Sequence, residues 1–407
     1  MSTRPSVRFL DRTTPPHIAT LVLMTGLAAL AMNVFLPSLP NMTAWFDTDY
    51  RLMQLSVSLY LAVNAVLQLV IGPISDRYGR RPVVIGSIII FLLATVGTLL
   101  AQTVEVFLVF RMIQATVVGA MVLGRAAVRD MVDEAQAASM LGYVNTGMAL
   151  VPMIGPVLGG ALDELFGWQA SFLFLLACGC AVLALVWFDM GETARRRSGG
   201  FAAQIRQYPE LMTSRRFWGY SATAAFASGT FFAFLGGAPY VGSVVFGLSP
   251  TELGLYFMPT AFGYAVGNFL SGRFSVRVGV NRMVLTGTLI LIAGLGTQFL
   301  LLLAVPGLPA LLFFVLFLFV GLGNGMIMPN ATAGMLSVRP ELAGTASGLG
   351  GALMIGGGAG LAAVTGALLV PGAGAYPLIA VMGLSAIAAL MSILYVMRRA
   401  RQIGTGS

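Results

Sequence analysis

Twelve runs of about twenty residues with almost no charge follow one another along this chain, each long enough to cross a hydrocarbon layer about 30 Å thick as a helix. They fall near residues 17–38, 52–74, 83–102, 106–127, 137–161, 168–188, 217–240, 253–272, 283–304, 308–329, 343–370 and 376–397. That succession leaves one fold class open, an all-α membrane protein of twelve transmembrane helices. Strands of a membrane barrel would alternate polar and apolar residues over about ten positions, and these runs do not. A soluble fold is excluded too: charged residues are 9% of the chain, where soluble domains carry about 25%. The first run begins near His17, has the length of a span and leads into Leu36-Pro37-Ser38-Leu39-Pro40 in place of a small-residue cleavage site, so it is expected to stay attached. Cys178 and Cys180 sit together inside an apolar run, and His17 is the single histidine. Neither suits a disulfide framework or a metal site, and no cofactor is expected.

The remaining charge is unevenly placed. All 23 basic residues are arginine. With the N-terminus in the cytoplasm, the inner segments hold Arg4, Arg8, Arg12, Arg77, Arg80, Arg81, Arg129, the group at 195–216, Arg273, Arg277, Arg282, Arg339, Arg398, Arg399 and Arg401, while the outer loops hold Arg51. This asymmetry predicts an even number of spans with both termini cytoplasmic. The net charge of +8 is then a topology signal and a means of touching anionic lipid, and it does not imply nucleic-acid binding.

The longest polar interval, 189–216, separates an N-terminal six-helix bundle at 1–188 from a C-terminal one at 217–407. A faint repeat relates the two. Phe35-Leu36-Pro37-Ser38-Leu39-Pro40 faces Phe234-Leu235-Gly236-Gly237-Ala238-Pro239, Arg77-Tyr78-Gly79 faces Arg277-Val278-Gly279, and Met153-Ile154-Gly155 faces Met354-Ile355-Gly356. Three matches in one order, at corresponding ends of corresponding helices, indicate duplication of a six-helix unit. Such a duplication sets two bodies around a central space near the membrane midplane.

Between the second and third runs stands Gly72-Pro73-Ile74-Ser75-Asp76-Arg77-Tyr78-Gly79-Arg80-Arg81-Pro82, with charge at four of the six positions from Asp76 to Arg81. This loop resembles the G-x-x-x-D-R-x-G-R-R loop of the major facilitator superfamily. Phe110-Arg111-Met112-Ile113-Gln114-Ala115 is similar to the family's fourth-helix R-x-x-Q segment, and Gly155-Pro156-Val157-Leu158-Gly159-Gly160 to the G-P-x-x-G-G of the fifth helix in drug/proton antiporters. Arg125-Ala126-Ala127-Val128-Arg129-Asp130, with Leu36-Pro37-Ser38-Leu39-Pro40 and Gly167-Trp168-Gln169-Ala170, most resembles the bicyclomycin and chloramphenicol resistance subfamily. The resemblance implies two pseudo-symmetric six-helix bundles that alternate access to a central site. It also implies proton-coupled efflux of amphiphilic small molecules by a monomer in the bacterial inner membrane, with substrate, protons and membrane lipid as partners.

The residues suggest roles of their own. Gly79 permits a tight turn, and Asp76 at a helix end is expected to hold basic side chains or the N-terminus of a neighbouring helix, the eleventh if the family pattern applies, latching the two halves. Gly72, Arg77, Arg80 and Arg81 belong to the same switch. Arg111 lies in the fourth run, where a guanidinium needs a partner or a wet cavity, and Gln114 lies one turn away; both are candidates to meet substrate, and the alternative is structural, with Arg111 snorkelling outward or bonding carbonyls to fix the fourth helix. Arg125, with Arg129 and Asp130, is expected in half-to-half or interfacial packing. Gly155 and Gly159, Gly356 and Gly360, and Gly321 and Gly325 form small-residue pairs suited to close helix approach, with Pro156 and Gly160 in the same gating segment.

For the binding cavity, Tyr60, Asn64 and Gln68 recur every four residues on one face of the second helix. Asn33, Asn145, Tyr256, Tyr264, Asn268, Asn324 and Asn330 add polar candidates, and Phe226, Phe231, Phe232, Met326 and Met328 an adaptable apolar wall. Relatives in the subfamily commonly carry an acid before the Leu-Pro run of the first helix, where this chain has Asn33. Its fifteen acids all sit at rims or in loops. Coupling therefore falls to a rim carboxylate such as Asp163 or Asp130, or to the substrate's own charge. Export of diverse amphiphiles and transport of one small polar or anionic metabolite both stay open. A membrane-embedded enzyme would need paired acids, a nucleophile or metal ligands at depth, and the runs offer none.

Overall fold

The computed structural model describes residues 7–132, 134–194, 211–339 and 342–402; the linker segment 195–210 and the side chain of Asn145 lie outside the described residues. Each expected run coincides with a helical span, none reaching more than two residues beyond its ends. The first comprises Ile18–Asn33 and Leu39–Trp45 joined by a 3-10 turn at Leu36–Ser38, where Pro37 interrupts the ladder. The second is Tyr50–Tyr78, the third Arg80–Leu100, the fourth Val104–Met131, the fifth Glu134–Phe166 and the sixth Gln169–Asp189. The seventh is Arg215–Val245, ending in a π turn at Val241–Val245. The eighth is Pro250–Tyr256 continued by Met258–Val278, the ninth Val280–Ala304, the tenth Ala310–Ser337, the eleventh Ala343–Leu368 and the twelfth Tyr376–Gln402. Among the described residues, ten of these are apolar and long enough to cross a membrane by themselves. The eighth is less apolar because Asn268, Ser271, Arg273, Ser275 and Arg277 fill its last turns.

Local chemistry sets the helix ends. Thr103, Ser214 and Ser249 accept the backbone N–H groups of Val106, Phe217 and Glu252, and Ser249 with Glu252 completes a capping box at the eighth span. Gly79 and Gly279 stand at φ 99° and 89°, each closing one helix and opening the next without an intervening residue. A side chain is strained there, which explains why glycine holds both positions.

In the first half the first span packs on the fourth, fifth and sixth, and the third packs on the fourth and sixth. In the second half the seventh packs on the tenth, eleventh and twelfth, and the tenth on the eighth and ninth. Gly321 and Gly325 of the tenth span sit against the Thr260 and Tyr264 carbonyls of the eighth, bringing backbone onto backbone as their spacing suggested. The Gly356 and Gly360 pair does not behave so: Gly356 meets Ala65 of the second span at ordinary contact distance and Gly360 meets nothing.

Two seams join the halves, the second span along the eleventh and the fifth along the eighth. Under the sequence repeat the second span corresponds to the eighth and the fifth to the eleventh, so these are one seam used twice. Aromatic clusters stiffen each half at the end opposite the termini. Phe35, Phe107, Trp168 and Phe172 interlock in the first half, and Phe234, Phe313, Phe314 and Phe317 in the second, with ring centroids 4.6–6.0 Å apart.

Candidate functional site

Arg111 is 1% exposed, and its guanidinium is fully occupied by the first half. Nη1 donates to Gln114 Oε1 at 2.8 Å, Nη2 to the Ala31 carbonyl at 2.8 Å and Nε to the Ser56 carbonyl at 3.3 Å. The Phe35 and Tyr60 rings cover its two faces, each centroid 4.2 Å from Cζ. Gln114 passes the network to Thr95 Oγ1 at 2.8 Å. A guanidinium in hydrocarbon must find carbonyls or water, and here it finds carbonyls. Arg111, Gln114 and Tyr60 thus clamp the first, second, third and fourth spans together. For Arg111 this is the structural alternative, carbonyls bonded to fix the fourth helix, and Gln114 and Tyr60 turn to the same clamp.

A different group surrounds the space between the halves. Asn64 and Gln68 point along the second–eleventh seam: Gln68 Nε2 donates to Asn64 Oδ1 at 2.8 Å, and Gln68 lies beside Gly351. Across the space, Tyr264 of the eighth span stacks on Phe231 of the seventh at 6.4 Å, and Asn268 Nδ2 donates to the Tyr264 carbonyl at 2.8 Å. Arg125 of the fourth span lies near enough to Tyr264 of the eighth for the two to couple electrostatically. Arg125, Gln68, Phe231, Tyr264 and Asn268 all keep partial exposure in the middle of the bundle.

Other candidates fall elsewhere. Asn33 donates to the Ala29 carbonyl at 2.7 Å and packs against Gly155. Asn324 donates to Thr230 Oγ1 and the Val320 carbonyl, both at 3.0 Å, and Asn330 to Ser271 Oγ at 2.7 Å, so each ties the tenth span to a neighbour. Tyr256 is separated from Tyr264 by the helix break at Phe257. It stacks on Phe314 at 5.1 Å beside a groove of about 640 Å³ near the end away from the termini, lined by residues including Met153, Glu252 and Phe262. Expected in the cavity, it belongs to that groove.

The seam is tightest at the end away from the termini. Tyr50 Oη donates to the Gly236 carbonyl at 2.7 Å and Gln54 Nε2 to the Ala362 carbonyl at 2.8 Å, each joining the second span to the other half. Thr251 N donates to Glu164 Oε2 at 3.4 Å. Gly160 lies against the Pro250 carbonyl, Gly254 against that of Pro156, and Gly159 against Val34, so the fifth-helix motif presses on both the first and the eighth spans. Gly155 makes only ordinary contacts with Leu30 and Asn33. Buried Asp163 accepts Asn41 Nδ2 at 2.8 Å next to this closure. Tyr50, Gln54, Glu164 and Thr251 were not anticipated. A polar residue one turn inside an apolar run, as Gln54 is, was the available signal.

At the arginine-rich end the charged loop is knit within its own half. Arg80 pairs with Asp76 at 2.7 Å and with Asp130 at 3.1 Å, and also donates to Ser75 Oγ. Glu192, just beyond the sixth span, accepts the N–H groups of Arg80 and Arg81 at 2.8 and 3.3 Å and so caps the third span. Arg81 stacks over Trp187, Arg77 over Tyr78, and Arg129 is exposed. Among the described residues Asp76, 40% exposed, pairs with Arg80; the start of the eleventh span, at 343–345, lies outside the residues whose side chains are described. Glu192 reaches the start of the third span because the chain leaving the sixth span passes directly beside Gly79. Gly72 has open space around it.

The profile of the Major Facilitator Superfamily matches residues 21–363. A chloramphenicol resistance protein of Pseudomonas aeruginosa is 31% identical over 349 residues, covering 83% of this chain and 82% of the relative. The multidrug transporter MdfA of Yersinia pestis (strain Angola) is 28% identical over 280 residues, 68% of each chain. A bacterial homologue of the human lysosomal transporter Spinster, solved in an inward-facing and occupied conformation, shares the fold: TM-score 0.70 at 18% identity, over 94% of this chain and 96% of that one.

Proposed function

Because this chain belongs to the Major Facilitator Superfamily, and is thus a multi-pass membrane transporter and not an enzyme, we propose that it exports amphiphilic small molecules across the bacterial inner membrane by alternating access coupled to protons. One observation carries the reading. The hydrogen bonds Tyr50–Gly236, Gln54–Ala362 and Thr251–Glu164 close the two halves at the end away from the termini, while Asp76 and its counterpart Val276 stand exposed at the other. A carrier caught open on one side has this asymmetry. With the arginine-rich end in the cytoplasm, the open side is the inner one. The moving bodies are the bundles at 1–188 and 217–407, with 189–216 as the link between them.

The names of the relatives support drug export, and the fifth-helix motif and the likeness to the bicyclomycin and chloramphenicol resistance subfamily support it further. Of the two rim carboxylates, Asp130 is held by Arg80, while Asp163 is buried beside the closing seam. Asp163 is the proton carrier in this reading, since its surroundings change when the seam opens. Expression in an efflux-deficient host should raise resistance to chloramphenicol and to other members of a drug panel. Transport into inverted vesicles should follow the imposed pH gradient. A rate indifferent to that gradient removes the antiport, and a host with no raised resistance to any drug points to a single metabolite.

A further inference from the structure

The twelfth span, Tyr376–Gln402, carries one exposed stripe whose chemistry changes abruptly along its length. Leu384, Ile387, Met391 and Leu394 recur at spacings of three and four residues, so they share one face, and all four are exposed. The opposite face, with Met382, Ala386, Ala389, Ile393, Val396 and Ala400, is buried where the span packs on the seventh and ninth. The exposed stripe continues as Arg398 and Arg401, and there its apolar character ends. Both arginines are exposed, and with Leu394, Met397 and Gln402 they border a surface hollow of about 540 Å³. Among the described residues neither guanidinium has an acid as partner, and Arg399 between them donates to Gln402 Oε1 at 3.0 Å.

Two further observations set this stripe against a lipid leaflet. The seventh span meets the twelfth where Gly219 lies against Val396 and Tyr395, and the rings of Trp218 and Tyr395 are exposed there. Such rings sit at headgroup level, which puts Arg398 and Arg401, just beyond them, among the lipid phosphates. From Leu384 to Leu394 the helix rises about 15 Å, half of a hydrocarbon core about 30 Å thick. The apolar part of the stripe therefore matches the acyl chains of one leaflet. Its basic end is no demand of the fold, since the sixth span, the counterpart under the repeat, closes on Trp187-Phe188-Asp189 with no basic residue in its last turn.

We propose that the twelfth span holds one anionic phospholipid of the leaflet on the side of the termini, its phosphate between Arg398 and Arg401 and its acyl chains along Leu384, Ile387, Met391 and Leu394. Side chains three residues apart on a helix are neighbours, and two guanidinia hold the oxygens of one phosphate by charge-assisted hydrogen bonds. Charge selects the lipid. Phosphatidylglycerol presents one uncompensated negative charge to the pair, whereas the choline of phosphatidylcholine brings its own cation to the same place. This goes beyond the general attraction of a basic rim for an anionic surface, because it fixes one lipid at one helix. It is also independent of what the protein carries, since the stripe lies opposite the face that packs on the bundle.

The test is equilibrium binding of tail-labelled phosphatidylglycerol and phosphatidylcholine to the purified full chain in neutral detergent. Phosphatidylglycerol should fill one site first, with phosphatidylcholine weaker by about ten-fold. Arg398→Gln with Arg401→Gln should abolish that preference. Arg273→Gln with Arg277→Gln removes the same charge at the end of the eighth span and should leave the preference within about two-fold. Glycerophosphoglycerol, the same headgroup without acyl chains, should not displace the labelled lipid at equal concentration. Equal binding of the two lipids, a preference unmoved by the twelfth-span variant or lost equally in both variants, or displacement by the bare headgroup overturns the proposal. The lipid comparison and the headgroup competition use the unmodified chain, so they decide the matter even where a variant fails to fold.

Discussion

The loop at Gly72–Pro82 and its counterpart at Gly272–Arg282 share a backbone and differ in nearly all their chemistry. Gly79 and Gly279 adopt φ/ψ of 99°/153° and 89°/146°, and each donates its N–H to a serine carbonyl, Ser75 or Ser275, at 2.9 Å. Beyond that the two part. Asp76 is matched by Val276, which is 95% exposed, Arg80 by Val280 and Arg81 by Asn281. The first loop is held by Arg80 and Glu192, the second by a hydrogen bond of 2.7 Å from Tyr220 Oη to Asn281 Oδ1. Making the turn therefore needs the glycine and neither the acid nor the arginine pair that follows it in the first loop. The ion network of the first loop answers to some other demand, and one half meets it alone.

The contrast can be broken most forcefully at the glycines. Ala at either position carries about 1–3 kcal/mol of backbone strain. At residue 79 the new methyl also collides with the Glu192 carboxylate, so Gly79→Ala should cost clearly more folded protein and thermal stability than Gly279→Ala. Equal melting temperatures would mean that Glu192 is not anchored there. Next in size is Asp76→Asn. The pair it breaks is part-exposed and worth at most about 1 kcal/mol to stability, so melting should barely move. Transport should fall by about ten-fold if the pair biases the switch by about 1.4 kcal/mol, with substrate binding retained. Val276→Asp with Val280→Arg rebuilds the i,i+4 pair in the second half but finds no counterpart of Asp130, since the tenth span at 310–337 carries no acid, and should not rescue transport. Smallest is Glu192→Ala, which removes the third span's cap and should lower stability by about 1 kcal/mol, read as a shift of a few degrees in melting. Loss of substrate binding in Asp76→Asn would contradict a switching role.

The spans, the turn and the arginine asymmetry were legible in the sequence because each depends on neighbours along the chain. The partners of buried polar groups were not. A hydropathy profile cannot tell Arg111 from Arg125, although the first reaches carbonyls at Ala31 and Ser56, 80 and 55 residues away. The stripe of Tyr60, Asn64 and Gln68 has the right period but divides between two environments, Tyr60 turned onto Arg111 and Gln68 toward Gly351. Glu192 reads as an ordinary linker acid, since the N–H groups it accepts from leave no mark on side-chain composition. Gly159 and Gly160 were found through their motif, yet which helix each would touch depended on the assembled bundle.

Asp189 ends the sixth span fully buried, accepting the Leu10 and His17 N–H groups at 2.7 and 2.8 Å and Thr20 Oγ1 at 2.6 Å. The Gly191 N–H donates to the Thr14 carbonyl at 3.1 Å, and Glu192 then caps the third span. During synthesis residues 10–20 thus have no seat until the sixth span has been threaded into the bilayer. Once residues 189–192 emerge, they fasten residues 10–20 to the end of the sixth span before the seventh span exists. Domains fold as units in the order they are made, and this carboxylate gives the ribosome's first half a definite moment of completion.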